Sequence, residues 1–156
     1  MRIRNATLED AAAIVSLTAQ LGYMSNDTEV RRLHTILLQR DDHAVFVAEE
    51  PDGAVIGWVH VFAARRLFVP MFAELGGLVL DEERRGWGVG CALLAERWAA
   101  ENGCAMLRIR SNVLRGSAHQ FYERMGYRVA KSQLVFEKSL VPHEARKYGK
   151  SVRSSG

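Results

Sequence analysis

The sequence contains little cysteine and no long hydrophobic run. Cys91 and Cys104 are its only two cysteines, without metal-type spacing, so we expect free thiols in a reducing cytoplasm. No apolar run approaches the roughly 20 residues that a membrane-spanning helix needs. The first residues also lack the apolar segment of a signal peptide. We therefore expect a cytoplasmic chain with no membrane partner and no bound metal.

Most of the chain has no excess of positive or negative charge. The net charge is +3, and the four basic residues and one acidic residue of 141–156 account for all of it. Since residues 1–140 are neutral, the basic pI is a weak reason to expect nucleic-acid binding. We predict one domain over residues 1–140, a basic C-terminal tail over 141–156 and no sequence-specific nucleic-acid partner.

The hydrophobic pattern predicts strands and helices in a mixed order. A cap at Thr7 predicts the start of one early helix, a second is expected to start near Asn26, and Gly22 and Gly126 are typical helix stops. Strands are predicted at 2–6, 44–48, 55–62, 72–80 and 106–111, with one or two closing strands at 127–138. Two later helices are predicted at 91–101 and 117–125. This order indicates an α/β (α+β) fold, with a mixed sheet of six or seven strands and about four helices.

A glycine-rich turn joins the strand 72–80 to the following helix. Gly86, Gly88 and Gly90 alternate there, and the free N–H groups of a helix start attract anions such as phosphate. A kinase-type P-loop needs Gly-Lys followed by Ser or Thr, but Cys91 and Ala92 follow Gly90. The dinucleotide fingerprint needs a third glycine where Cys91 stands. Both of these phosphate-binding templates therefore fail.

A third template fits this turn and a later segment. Arg85-x-x-Gly88-x-Gly90 resembles the Arg/Gln-x-x-Gly-x-Gly/Ala signature of the GNAT acetyltransferase superfamily. Downstream, Asn112 followed by Ala118-x-x-Phe121-Tyr122-x-x-x-Gly126-Tyr127 resembles that superfamily's second motif. By element order the resemblance covers residues 2–140, and its motifs lie within 74–127. It implies a GNAT fold and acetyl transfer from acetyl-CoA to a primary amine.

The resemblance also implies which residues bind the coenzyme. The backbone of Leu78, Val79 and Leu80 would pair with the pantetheine arm, and a backbone N–H near Leu80 would stabilise the oxyanion. On the second motif, Asn112, Ala118 and Tyr122 would lie along the coenzyme. The pyrophosphate would bind the backbone amides of Arg85, Gly86, Trp87, Gly88, Val89 and Gly90. The alternative is that the glycine turn is only a tight structural turn.

Two residues are candidates for proton transfer. Tyr122 matches the tyrosine that the superfamily places near the thioester sulfur, and a phenol is protonated at neutral pH; the alternative is packing beside Phe121. Glu74 lies on an apolar strand, where a carboxylate is costly to bury, and it matches a strand glutamate that acts as general base, directly or through a water. The alternative for Glu74 is an ion pair with an arginine such as Arg65 or Arg66.

Three further residues carry weaker hypotheses. Cys91 follows the glycine turn, and a helix start could lower the pKa of its thiol, although packing in the core is the stronger interpretation. His60 alternates with Trp58 and Phe62 on a strand and could pack or line a substrate site. His119 is expected to face solvent or the coenzyme edge.

The acceptor is the open question. The segment around Asn112 is similar to that of aminoalkylphosphonate and some aminoglycoside acetyltransferases, which implies a small primary amine. The region 21–26 and a loop over 63–71 are expected to choose the acceptor; in that loop Arg65 and Arg66 could receive an anionic group or be a solvated pair. Two alternatives remain: a protein or peptide acetyltransferase, and a non-catalytic acyl-CoA sensor. A homodimer through the closing strands is a further expectation.

Overall fold

The computed structural model describes residues 2–20, 22, 26–81, 83 and 88–140. The chain divides into two compact units, residues 1–110 and residues 111–156, and each is described separately. The elements are β1 (Arg2–Asn5), a short 3-10 turn (Leu8–Asp10), α1 (Ala11–Gln20), α2 (Asp27–Leu38), β2 (His43–Glu49), β3 (Val55–Arg66), β4 (Val69–Leu80), α3 (Gly88–Glu101), β5 (Leu107–Ile109) and α4 (Gly116–Arg124).

The first unit contains one five-stranded sheet. Its strands follow the order β1-β2-β3-β4-β5, the first four antiparallel and β5 parallel to β4. A parallel neighbour needs a crossover connection, and α3 supplies it. The mixed α+β class is therefore confirmed.

The predicted number of strands was too high. Residues 127–138 have no regular secondary structure and pair with no strand among the described residues. Val129, Leu134, Val135 and Phe136 are 76–88% exposed. Their β-branched and aromatic side chains suggested strands, but a strand requires a partner for its backbone groups as well as propensity.

The helix boundaries follow local chemistry. The backbone N–H of Thr7 donates to Asp10 Oδ2 at 2.7 Å, and Asn26 Oδ1 accepts from the N–H of Thr28 at 2.9 Å. Gly22 and Gly126 have φ of 75° and 88°, a region that favours glycine, just beyond α1 and α4. The predicted helix starts and stops are confirmed at these positions.

The helices cover the two faces of the sheet differently. On one face α3 packs with Cys91, Ala95 and Ala99 against apolar residues of β2, β3 and β4. On the other face Ile14 of α1, with Val30 and the end of α2, packs on the β2 side of the sheet. No helix among the described residues has the length and apolar character to cross a membrane.

Candidate active site

The candidate site in the first unit lies where β4 separates from β5. Ala73, Glu74 and Leu75 pair in parallel with residues 107–109, and β4 then continues to Leu80 beside β3 alone. The register with β3 shifts between His60 and Val61, so that Gly76 is an extra residue in β4, a β-bulge. Past this bulge, one backbone edge of β4 has no strand partner among the described residues.

Two glycines are required at the bulge by the rings that cross it. A Cβ on Gly76 would overlap the ring of His60, and a Cβ on Gly77 would lie 2.6 Å from the indole of Trp58. Because no real Cβ approaches so closely, the Gly76-Gly77 pair lets β3 side chains lie flat across β4. The packing of the His60 and Trp58 rings over these two glycines therefore fixes the position of the bulge.

Glu74 lies beside the bulge on the same face as His60. Directly opposite it in the register is Phe62, and its side chain is 14% exposed. Arg110 Nε contacts Glu74 Oε1 at 2.7 Å. The carboxylate therefore has an arginine partner, as one interpretation of the sequence held, but that partner is Arg110 and neither Arg65 nor Arg66.

Two histidines form a hydrogen-bonded pair on the same face of the sheet as Glu74. His43 Nδ1 and His60 Nε2 are 2.9 Å apart, and Phe62 stacks on His43 with ring centroids 5.3 Å apart. Burial, with the neighbouring His43, lowers the pKa of His60 to about 4, and burial also lowers the pKa of His43. Both rings are therefore neutral at pH 7, so that one ring donates and the other accepts in this hydrogen bond.

The predicted loop over 63–71 is a hairpin. β3 continues to Arg66 and β4 begins at Val69, which leaves a turn of only two residues. Strand alternation then separates the two neighbouring arginines onto opposite faces. Arg66 lies over the ring of Phe72, whereas Arg65 acts electrostatically on Cys104, which packs against the α3 core.

The glycine turn is described only in part. Arg85, Gly86 and Trp87 lie outside the described residues. α3 begins at Gly88, which is buried, while Val89 is 43% exposed. A Cβ on Gly90 would lie 2.7 Å from Ile3 Cδ1, so β1 packing is one physical reason for a glycine there.

The burial of Cys91 decides between the two interpretations of this residue. The thiol is fully buried in the α3 core, and burial raises its pKa to about 11. The stronger interpretation, packing in the core, is therefore confirmed, and the alternative of a pKa lowered by the helix start is wrong, because loss of hydration outweighs the helix dipole at a buried thiol. Cys91 is a packing residue.

The second unit carries the other motif on α4 and the segment before it. Asn112 Oδ1 accepts from the N–H of Leu114 at 2.9 Å, and His119 Nε2 lies 2.9 Å from the carbonyl oxygen of Asn112. Ala118 is half-buried. Tyr122 packs edge-on against Phe121 and Tyr127. Burial raises the pKa of Tyr122, against a smaller opposing effect of Arg115, so the phenol is a proton donor at neutral pH.

Sequence reasoning missed three residues of the first unit that lie on the same face of the sheet as Glu74, namely Arg108, Arg110 and His43. Arg108 and Arg110 alternate on the predicted strand 106–111, which places both on one face, and that spacing was a readable signal. His43 gave no signal, because its pairing with His60 depends on the register of β2 and β3. Within the described residues, no group of three or more His, Cys, Asp or Glu side chains could hold a metal ion.

Comparisons with known proteins identify the family of this chain. Residues 41–129 match the family model described as acetyltransferase (GNAT) domain. The chain is 28% identical over 141 residues to an aminoalkylphosphonate N-acetyltransferase of Salmonella typhimurium, covering 88% of this chain and 90% of that protein.

Solved structures share the fold at low identity. An aminoglycoside 6'-N-acetyltransferase of Acinetobacter haemolyticus superposes with a TM-score of 0.78 at 16% identity, over 90% of this chain and 100% of that one. A glucosamine-6-phosphate N-acetyltransferase of Arabidopsis thaliana gives 0.73 at 20% identity, over 90% and 98%. GNAT acetyltransferases use acetyl-CoA as the acetyl donor, and the family model covers more than half of the sequence. The chain belongs to the GNAT acetyltransferase family.

Proposed function

We propose that this acetyltransferase moves the acetyl group of acetyl-CoA directly to the primary amine of a small molecule, with both substrates bound together. The observation that carries the proposal is the separation of β4 from β5 at Gly76, beside the partly buried carboxylate of Glu74. A strand edge without a partner can pair with an extended pantetheine arm, as expected for Leu78, Val79 and Leu80. Glu74 stands at the start of that edge.

Glu74 is proposed as the general base. A neutral amine is the nucleophile, and it attacks the thioester carbonyl carbon with loss of one proton. The Glu74 carboxylate accepts that proton, directly or through a water. Its contact with Arg110 supports this role because the ion pair fixes the direction of the carboxylate oxygens.

The remaining charge changes are assigned to the oxyanion site and to Tyr122. Backbone N–H groups near Leu80 stabilise the oxyanion that forms during attack. When the C–S bond breaks, the thiolate takes the phenol proton of Tyr122. The raised pKa of Tyr122 supports this role, since it keeps the proton available at neutral pH.

Coenzyme binding is proposed for the residues that the motif matches. The backbone amides at residues 85–90 would bind the pyrophosphate, since a helix start attracts anions and α3 begins within that segment. Asn112, Ala118 and Tyr122 would contact the coenzyme from the second motif. We also propose a reducing cytoplasmic setting, which the two free cysteines support, and a homodimer.

The acceptor is proposed to be a small amine of the aminoalkylphosphonate, aminoglycoside or amino-acid-like classes. The relatives named above support this choice, because each is named for acetylation of a small molecule. A protein or peptide acceptor and a non-catalytic sensor are the alternatives. They differ from the proposal in what is acetylated and in whether turnover occurs.

The test is thiol release from acetyl-CoA with a library of small amines and a panel of peptides. We expect release with small amines, and a fall in kcat of about 100-fold or more for Glu74→Gln and for Tyr122→Phe. Glu101→Gln, at an exposed position of α3, is the matched control for Glu74→Gln and should keep the wild-type rate.

Each other outcome selects a different function. Turnover with peptides alone would favour a protein acetyltransferase. A rise in Tm with coenzyme A but no turnover would favour a sensor. If no amine or peptide causes thiol release, and coenzyme A causes no thermal shift, the proposal is overturned.

A further inference from the structure

The ring of Phe72 carries two guanidinium groups. Arg108 Cζ lies 3.9 Å from the ring centroid and Arg66 Cζ lies 5.3 Å from it. Phe72 is fully buried, although it belongs to neither apolar cluster formed by the described residues. The ring therefore orients two arginines from different strands, β3 and the parallel strand β5.

Neither arginine is neutralised within the part of the chain that the structure describes. Arg110 has the Glu74 carboxylate, but no described carboxylate pairs with Arg66 or Arg108. Each guanidinium therefore carries a positive charge that a bound anion would attract. Arg66 is exposed and Arg108 half-buried, so solvent reaches the site.

The pair stands beside the proposed base. Arg108 is the register partner of Glu74 on the neighbouring strand. Phe72 precedes Glu74 by two residues on the same face of β4, which is about 7 Å along the strand. A molecule whose acidic group lies over Phe72 would therefore present its other end to Glu74.

Arg65 shows why two adjacent arginines in the sequence are not equivalent. Its charge acts on Cys104, which packs on the face that α3 covers. Arg66 is turned to the face of Glu74. The sequence suggested Arg65 and Arg66 as a pair, whereas the fold pairs Arg66 with Arg108.

We propose that Arg66 and Arg108 bind the acidic group of the acceptor, a phosphonate, phosphate or carboxylate that a short carbon chain separates from the primary amine. Guanidinium groups match the oxygens of such anions through paired N–H donors. This inference rests on the proposed function, because Glu74 defines where the amine must lie. It narrows the acceptor from small amines in general to anionic ones.

The first experiment compares acceptors that carry an acidic group with neutral acceptors of similar chain length. Aminoethylphosphonate is measured against ethanolamine, and β-alanine against its amide. We expect the charged member of each pair to have the higher kcat/KM. Arg66→Gln and Arg108→Gln should raise KM for the charged acceptors about 10- to 100-fold and leave the neutral acceptors unchanged. Arg65→Gln, the matched control, should change neither.

A second experiment needs no turnover. Ethylphosphonate, which has the acidic group but no amine, should raise the Tm of the wild-type protein and compete with aminoethylphosphonate. Arg108→Gln should abolish both effects, while Arg65→Gln keeps them. Arg108→Lys retains the charge over the ring and covers the case in which Arg108→Gln fails to fold; it should bind ethylphosphonate more weakly than the wild type.

The outcomes separate this inference from the proposed function. If no amine releases thiol, the proposed function fails, and ethylphosphonate binding still reports on the arginines. If charged and neutral acceptors react equally, and the Arg66 and Arg108 variants affect both alike, the anion site is wrong while the acetyltransferase stands. If these variants have a lower Tm but the acceptor preference of the wild type, the arginines only cover Phe72 and the anion site is wrong.

Discussion

The two faces of β3 and β4 differ although the same strands form both. Val59, Val61 and Leu75 lie under α3 and are at most 7% exposed. Their sequence neighbours His60 and Glu74 lie on the opposite face, beside the bulge. Because successive strand residues point to opposite sides, a one-residue shift in register would exchange the two sets.

This contrast separates the residues that stabilise the fold from the ionisable residues proposed for catalysis. The α3 face is apolar and closely packed, so it supplies folding free energy and tolerates little change. The opposite face holds ionisable side chains that are partly exposed, and their contacts contribute less to stability. Phe72 is an exception, since it is fully buried on the ionisable face. Substitutions at neighbouring positions should therefore have opposite consequences.

The largest expected effect on stability is at Leu75. Leu75→Ala leaves a cavity in the α3 core and should lower the free energy of unfolding by about 4 kcal/mol. Glu74→Gln removes a contact with Arg110, which is 58% exposed, and should cost less than about 1 kcal/mol. Urea denaturation measures both. The comparison fails if the Glu74 variant is the less stable of the two.

The core and the helix ends were readable in the sequence. Leu75 and the α3 residues follow simple period-2 and period-3.6 patterns, and Gly22 and Gly126 end helices as predicted. Glu74 was also predicted on the strand that ends at the glycine turn, and it lies in the middle of β4.

The remaining features depend on long-range pairing. Arg108 meets Phe72 only because β5 lies parallel to β4 at one particular register, and no local pattern encodes that register. The same is true of His43, whose partner is 17 residues away along the chain. Residues 127–138 have the local pattern of strands, but propensity alone could not supply them with a partner.

The free energy of unfolding should fall with falling pH before the carboxylates become protonated. His60 has a pKa of about 4 in the folded protein and near 6.5 when unfolded, so below pH 6.5 the unfolded state binds the proton first. Stability is therefore full above about pH 6.5 and is lost as the pH falls towards 4, by about 2 kcal/mol at pH 5. The pKa of His34 and that of His43 are also lowered by burial, with Asp10 and Asp42 opposing, and they act in the same direction.

Urea denaturation from pH 7.5 to pH 5 tests this dependence. His60→Gln should reduce the slope of stability against pH, and the slope that remains belongs to the other two histidines. Asp10 has a pKa below its ordinary value, so its own contribution is lost only at lower pH. An unchanged slope in His60→Gln would contradict the assignment to His60.

The bulge provides a smaller test. Gly77→Ala places a Cβ 2.6 Å from the Trp58 indole, and the packed ring cannot withdraw freely. We expect a loss of about 1.5 kcal/mol. Gly116→Ala is the control, since a Cβ there meets nothing within 4 Å and alanine favours the start of α4. Equal Tm shifts in the two variants would show that the ring is free to move.

Arg110→Gln should have the smallest effect on stability. Its partner Glu74 is 14% exposed but Arg110 itself is 58% exposed, and such a pair contributes less than about 1 kcal/mol. Arg97→Gln, which breaks the exposed pair with Glu101 on α3, is the matched control. If Arg110 positions the proposed base, kcat should fall roughly tenfold while KM for aminoethylphosphonate stays constant, and Arg97→Gln should change neither. A rise in KM at constant kcat would instead assign Arg110 to acceptor binding, beside Arg66 and Arg108.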